Sequence, residues 1–229
     1  MFKFTKSKDK LRKQAWKQAK HPVMLKFLAR PFPSSKAPWD KVEIVSLDFE
    51  TTGLDPKKDQ ILSYGKVHIR HGSVLLGTAK HELVKAERLI PESSAVIHHI
   101  TDDEVKDARP LEEVLPDLLN ALGGKVMLVH YNKIEQGFLN EACKKLYGSP
   151  FIIPTIDTLF LSERVLLRRN HAIASNQLRL FNLRDNFNLP SYKAHNALND
   201  AMTTAELFLS LEGEIVPNEA TLLKDLLLK

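Results

Sequence analysis

A single cysteine, Cys143, occurs in the 229 residues, which rules out an internal disulfide framework and any metal site built on a cysteine cluster. The same scarcity suits a reducing, cytoplasmic setting. Cys143 itself reads as a small residue on the side of a helix. No stretch approaches the roughly 20 apolar residues needed to cross a bilayer, so no membrane partner is expected. No apolar core follows the basic start either. Val23-Met-Leu-Lys-Phe-Leu28 is short and broken by Lys26, so a retained arm is expected rather than a cleaved signal or transit peptide. Repeats and low-complexity tracts are absent. What the chain does have is 43% hydrophobic residues, ample for a packed core, at a length that fits one α/β domain plus an appendage.

The net charge of +5 is unevenly spread. Residues 1–41 hold twelve Lys and Arg against Asp9 and Asp40, whereas the other 188 residues carry 21 basic and 26 acidic groups. The basic character therefore belongs to the N-terminal segment. Two readings fit it: attraction to phosphate backbones or to an acidic protein partner, and a solubilising tail. Pro31, Pro33 and Pro38, with Ser34 and Ser35, form a linker that cannot continue a helix. The expected organisation is an extension and linker over 1–40, a main domain over 41–212, and a tail or short helix over 213–229.

Val42, Ile44, Val45 and Leu47 read as a buried strand that ends in Asp48-Phe-Glu50 and the turn Thr51-Thr-Gly53. Gln60–Arg70 and Ser73–Val84 are strand candidates joined at His71-Gly72, and Lys125–Val129 is a fourth. An incomplete helical stripe marks Lys8–Lys20, and Thr101-Asp-Asp-Glu104 has capping-box spacing. Apolar periodicity predicts helices over Leu111–Leu122, Lys133–Tyr147, Thr158–Leu167, Leu178–Phe187 and Asn196–Leu211. Early strands followed by alternating helices and a strand imply an α/β fold with a mixed sheet flanked by helices.

Residues two apart on a strand share a face, so the carboxylates of Asp48 and Glu50 point into one site. Two acids at the end of an apolar strand fit a divalent metal, or else solvated loop acids. On the helix beginning at Lys133, Phe138, Leu139, Ala142 and Leu146 fall within about 60° of Glu135, which places that acid in the apolar stripe. It suits a metal or a cation there, although Asn132 and Glu135 also have the spacing of a capping box. His195 and Asp200 would stand about 140° apart inside one helix. They converge if His195 lies in the loop before it and Asp200 on its first or second turn. His195 is then either an exposed loop histidine or a general base. Four carboxylates without a cysteine cluster favour Mg²⁺ or Mn²⁺, and two such ions can hold the attacking and leaving oxygens of a phosphodiester.

In these motifs the chain resembles the DnaQ-like 3′–5′ exonucleases, DEDD type, histidine subclass. Asp48-Phe-Glu-Thr-Thr-Gly53 matches the first family motif, and Ala194-His-Asn-Ala-Leu-Asn-Asp-Ala201 the third. Ser94-Ala-Val-Ile-His-His-Ile-Thr101 resembles the segment before the second motif, and Ile156-Asp-Thr158 a stretch after it. The likeness runs from about Glu43 to Leu211. It implies a ribonuclease H-like fold and a metal-dependent exonuclease that releases nucleoside 5′-monophosphates from the 3′ end of single-stranded DNA or RNA. It also implies two Mg²⁺ or Mn²⁺ ions on Asp48, Glu50, Glu135 and Asp200, with His195 as the base. Thr51, Thr52, Gly53, Leu54 and His98 would then border the terminal nucleotide. A catalytically weak nucleic-acid-binding module, or a subunit that docks a polymerase or other protein through residues 1–40, is the alternative.

One departure stands in the second motif, which in the family reads His-Asn-x-x-Phe-Asp. Here it is His130-Tyr-Asn-Lys-Ile-Glu135, and residues 121–156 contain no aspartate to substitute. Glutamate moves the carboxylate by about 1.5 Å on covalent geometry, which lowers activity or changes metal preference unless the site accommodates it. His99, where relatives commonly have glycine, is expected to narrow the nucleotide pocket.

Overall fold

A computed structural model describes residues 7–169, 173–174, 176–215 and 221–228. Its centre is β1 (Ile44–Thr51), which pairs antiparallel with β2 (Ile61–Arg70) and parallel with β4 (Val126–Val129). β3 (Ser73–Leu83) and β5 (Thr155–Asp157) lie outside them, giving a five-stranded mixed sheet in the order β3-β2-β1-β4-β5. The β2–β3 hairpin turns at His71 and Gly72, both with positive φ (52° and 69°), the geometry that matches strand twist in a two-residue turn.

Strand alternation sorts β1 into two faces. Val45, Leu47 and Phe49 enter one core with α5 (Leu111–Leu122) and α6 (Lys133–Tyr147). Ile44 enters the other, against α7 (Thr158–Arg168), α8 (Leu180–Asn186) and α9 (Ala197–Ile215). Ser46, Asp48 and Glu50 share the face of Ile44, and Ser46 Oγ donates to the Ala201 carbonyl of α9 at 2.7 Å.

The close seating of α9 depends on Gly65, the β2 residue opposite Asp48. A Cβ at Gly65 would come within 2.1 Å of Ala197 carbonyl atoms and of Leu198 N. Only a glycine lets the first turn of α9 lie on β2 at this level.

The regular elements expected from periodicity are present within a few residues. The short β5, α2 (Pro22–Ala29) and α3 (Glu92–His98) are additional. Thr101 and Glu104 do form a capping box, at the start of α4 (Asp102–Val105).

The boundary expected near residue 40 does not separate two bodies. Ala15 of α1 (Lys8–Gln18) and Met24, Phe27 and Leu28 of α2 are buried in the same cluster as Leu47 and Met127. His21 stacks on Tyr147 with ring centroids 4.4 Å apart, and Phe27 on Phe151 at 5.4 Å. Arg12 is itself buried, its guanidinium held by Asp9 and the Leu28 carbonyl. The apolar residues of this basic segment outweigh its charge, because two short amphipathic helices cover core that would otherwise face water.

The C-terminal segment is likewise built in. α9 runs on to Ile215, and Leu223 and Leu226 of α10 (Leu223–Leu226) are fully buried. The Leu228 N–H donates to the Thr155 carbonyl at 2.9 Å. Residues 1–6 of the expected extension, and 216–220 and 229 of the expected tail, lie outside the described residues. No helix among the described residues is long and apolar enough to cross a membrane.

Two stability outcomes follow. Phe27→Ala should cost about 3–5 kcal/mol in urea unfolding, as for a core aromatic; a change below about 0.5 kcal/mol would mean a detached arm. Gly65→Ala should cost more than about 3 kcal/mol, the upper end of ordinary overpacking, because the added methyl meets backbone rather than a movable side chain.

Candidate metal-dependent active site

Asp48 and Glu50 project from the end of β1 towards Asp200 on the first turns of α9. One carboxylate oxygen from each of the three lies within 4.8 Å of the others. Asp200 is the fourth residue of α9 and His195 stands two residues before the helix, which is the arrangement that lets them converge. The His195 backbone N–H donates to Asp200 Oδ2 at 3.2 Å. Asn196 Oδ1 accepts the Asn199 N–H at 3.2 Å and so caps the helix. His195 has a φ of 57°, and its ring is exposed beside the acids.

Glu135 reaches the site from the other side of the sheet. β4 pairs with β1 only as far as Ser46↔Leu128, so β1 runs on past it. The first turn of α6 occupies that end, and Glu135 is 2% exposed among Phe138, Leu139 and Ala142, in the apolar stripe as expected. The Asn132 side chain makes no capping hydrogen bond, so the capping-box reading does not hold. Glu135 is outside the tight set of three, yet of the carboxylates around Asp48 it repels that group most strongly.

These acids are costly as they stand. Burial, and then repulsion from Glu135, Glu50 and Asp200, raises Asp48 well above the usual carboxylate range. Burial pushes Glu135 up to about 8 against the pull of its own and the Phe49 backbone N–H groups. Burial, with repulsion from Glu50, pushes Asp200 up to about 7. Glu50 Oε1 and Glu135 Oε2 are buried without a hydrogen-bond partner. Buried, unpartnered, mutually repelling oxygens fit hard divalent cations, which would offset both the burial and the repulsion.

The remaining expected residues surround this set. Ser94 of α3, buried, donates to the Thr51 carbonyl at 3.2 Å. That bond seats α3 on the end of β1 and brings His98 Nδ1 against Glu50 Oε2. Thr51 Oγ1 donates to the Gly53 carbonyl at 2.7 Å, and the Gln60 N–H donates to Thr52 Oγ1 at 3.0 Å. A Cβ at Gly53 would overlap the Asp59 carboxylate, so glycine lets this loop close. Leu54 is 76% exposed.

His99 is the αL cap of α3, with a φ of 56°, and it is exposed. A positive φ at a helix end is the conformation that glycine adopts most readily, so the backbone here carries a bulkier residue than the turn favours.

Two residues escaped the sequence reading. Phe181 sits edge-on to the His195 ring, 5.2 Å between centroids, and no motif marks it. Asp157, noted only within a resembling stretch, accepts N–H groups from Tyr131, Asn132 and Leu159 at 3.0, 2.9 and 3.0 Å. An aspartate directly after an apolar strand and before a helix was the available signal. A cavity of about 230 Å³ between Pro56, Ile61, Phe138 and Lys145 contains none of these acids.

The architecture defines a class first, the ribonuclease H-like exonuclease fold. Exonuclease X, solved with 5′-overhanging duplex DNA, matches with a TM-score of 0.58 at 21% identity, over 80% of this chain and 98% of that one. Exonuclease I of E. coli, solved with single-stranded DNA and zinc, matches with a TM-score of 0.66 at 16% identity, over 78% and 42%.

The RNase_T family model, described as exonuclease, matches residues 45–208, and the chain belongs to that family. A PolC-type DNA polymerase III of Thermotoga petrophila is 34% identical over 171 residues, which are 75% of this chain and 12% of the relative. The DNA polymerase III epsilon subunit of Aquifex aeolicus is 28% identical over 75% of this chain and 81% of its own length. The chain thus spans only about an eighth of the PolC-type relative.

A pH titration of stability tests the electrostatics. Carboxyls with raised folded-state values bind more protons folded than unfolded, so their stabilising contribution is complete below about pH 4 and lost as pH rises through about 7 to 8. In EDTA the melting temperature should fall as pH is raised from 5 to 8. Mn²⁺ should restore it more at pH 8 than at pH 5, and equal metal effects at both would contradict the assignment.

Proposed function

We propose that the chain is a metal-dependent 3′–5′ exonuclease releasing nucleoside 5′-monophosphates from single-stranded DNA or RNA. The observation that carries this reading is the three-carboxylate set of Asp48, Glu50 and Asp200, with His195 tied by its backbone to Asp200, in a chain of an exonuclease family.

Asp48, Glu50 and Asp200 would hold one divalent cation, and Asp48 with Glu135 a second. Mg²⁺ or Mn²⁺ bound there would supply positive charge to the attacking water oxygen and to the leaving oxygen of the phosphodiester. The His195 imidazole takes the proton of the attacking water, and its exposure lets it pass that proton to solvent. Phe181 and His98, whose rings lie edge-on to His195 at 5.2 and 6.1 Å, fix the plane from which it acts. The loop Thr51–Leu54 borders the terminal nucleotide, with exposed Leu54 offering apolar contact to sugar or base. Enclosure of an end, rather than readout of base edges, makes such a site indifferent to sequence. Single-stranded DNA on one structural neighbour and the polymerase identity of the relatives support a DNA substrate.

A second reading, a catalytically weak member of the fold, is favoured by Glu135, whose longer side chain lies outside the tight set. That relatives are polymerase III proteins supports association with a polymerase, and we propose residues 1–40 as the docking segment. There the exposed Lys10, Lys13, Trp16 and Lys17 of α1 form the available face.

A 5′-labelled single-stranded oligomer with Mg²⁺ or Mn²⁺ should give a ladder shortening from the 3′ end, abolished by EDTA and by Asp48→Ala. Glu135→Asp should retain or raise the rate. Binding without release under either metal would favour the second reading, and total loss in a folded Glu135→Asp protein would mean a site rebuilt around glutamate.

A further inference from the structure

Tyr131 occupies the turn between β4 and α6 with a φ of 70°. Glycine and asparagine adopt that conformation readily, and bulky side chains do not. Core packing does not compensate, since Tyr131 is 42% exposed. The backbone is instead imposed from beneath. Asp157, buried at the end of β5, accepts the N–H groups of Tyr131 and Asn132 on its two oxygens, and that of Leu159 as well. Lys133 Nζ lies over the Tyr131 ring, 5.6 Å from its centroid.

The turn also has a defined place. β1 and β4 are parallel, so the chain leaves β4 at the end of the sheet where Asp48 and Glu50 stand. Glu135 follows four residues later. An aromatic ring in an unfavourable backbone conformation, braced by a buried carboxylate and exposed beside an acidic centre, is poorly explained by stability and well explained by a ligand.

We infer that Tyr131 is the stacking platform for one base of the single-stranded substrate, with Lys133 meeting an adjacent phosphate. This rests on the nuclease reading above. A base presents a π-face whatever its identity, so stacking grips the strand without reading sequence. The braced turn holds the ring in place before binding, which reduces the ordering cost. Lys133 supplies the charge that the acid-lined centre lacks for a polyanion.

The test compares Tyr131→Ala, Tyr131→Phe and Tyr131→Asn with the unaltered full chain on two substrates. One is a single-stranded dA12 oligomer, and the other is the p-nitrophenyl ester of thymidine 5′-monophosphate, which has no second base. Tyr131→Ala should raise KM for the oligomer by roughly 5- to 150-fold, the range of one lost base–aromatic stack, and leave the small ester within twofold. Tyr131→Phe should stay near the unaltered protein on both. Tyr131→Asn should bind as weakly as alanine while melting higher, because asparagine relieves the backbone but offers no ring.

Oligomers with one abasic position, scanned from the 3′ end, should include a single position at which unaltered and Tyr131→Ala proteins become equal. Unchanged oligomer KM, or equal losses on both substrates, would overturn the inference. If the unaltered protein cleaves neither substrate, the nuclease reading fails. Anisotropy with an oligomer carrying non-hydrolysable 3′ linkages then still decides Tyr131: weaker binding of Tyr131→Ala supports the platform, and equal binding ends it.

Discussion

The contact between Gly65 and the first turn of α9 carries the rest of the site. Asp48 and Glu50 come from a strand in the middle of the sheet, and Asp200 from a helix more than 130 residues later in the chain. They can share a cation only if helix and sheet approach more closely than side chains ordinarily allow. Removing the Cβ opposite Asp48 provides that approach. The Ser46 hydroxyl then fastens α9 one turn further along, at the Ala201 carbonyl. The distance between the carboxylates is thus set by backbone contact, which is stiffer than side-chain packing.

Once assembled, the carboxylates are held against their own repulsion. Desolvation and proximity raise Asp48, Glu135 and Asp200 together. The surrounding packing stabilises an arrangement that the acids alone would disperse. This is the usual relation between a rigid scaffold and a site that a ligand completes. His195 fits the same scheme, since Asp200 both faces the acid set and accepts the backbone N–H of His195. One aspartate therefore couples the placement of the acid set and of the histidine proposed as base.

Much of this was legible in the chain. Asp48 and Glu50 declared themselves by strand alternation, and Glu135 by its position in the apolar stripe of α6. His195 and Asp200 required only that the helix begin between them, which it does. Three things were harder to read. β5 is three residues long and carries no periodicity of its own. α1 and α2 looked like a basic arm because charge dominates their composition, while burial is decided by a few residues such as Met24 and Phe27. Gly65 lies in a strand otherwise rich in β-formers, and the close approach it permits becomes visible only when α9 is in place. Phe181 and Asp157 act through contacts with segments distant in sequence; local pattern marks Asp157 only as an acid before a helix and does not encode Phe181 at all.

The interleaving of the cores has a bearing on synthesis at the ribosome. One core joins Met24 to Ile153, and the other joins Ile44 to Leu226. The β1–β2–β3 meander can form early, from neighbouring segments, but its two faces stay uncovered until helices made much later arrive. Asp200 emerges after every strand. A nascent chain therefore holds two of its acids far from the third until α9 has been made, and the carboxylate set comes into being only when that helix packs on the sheet.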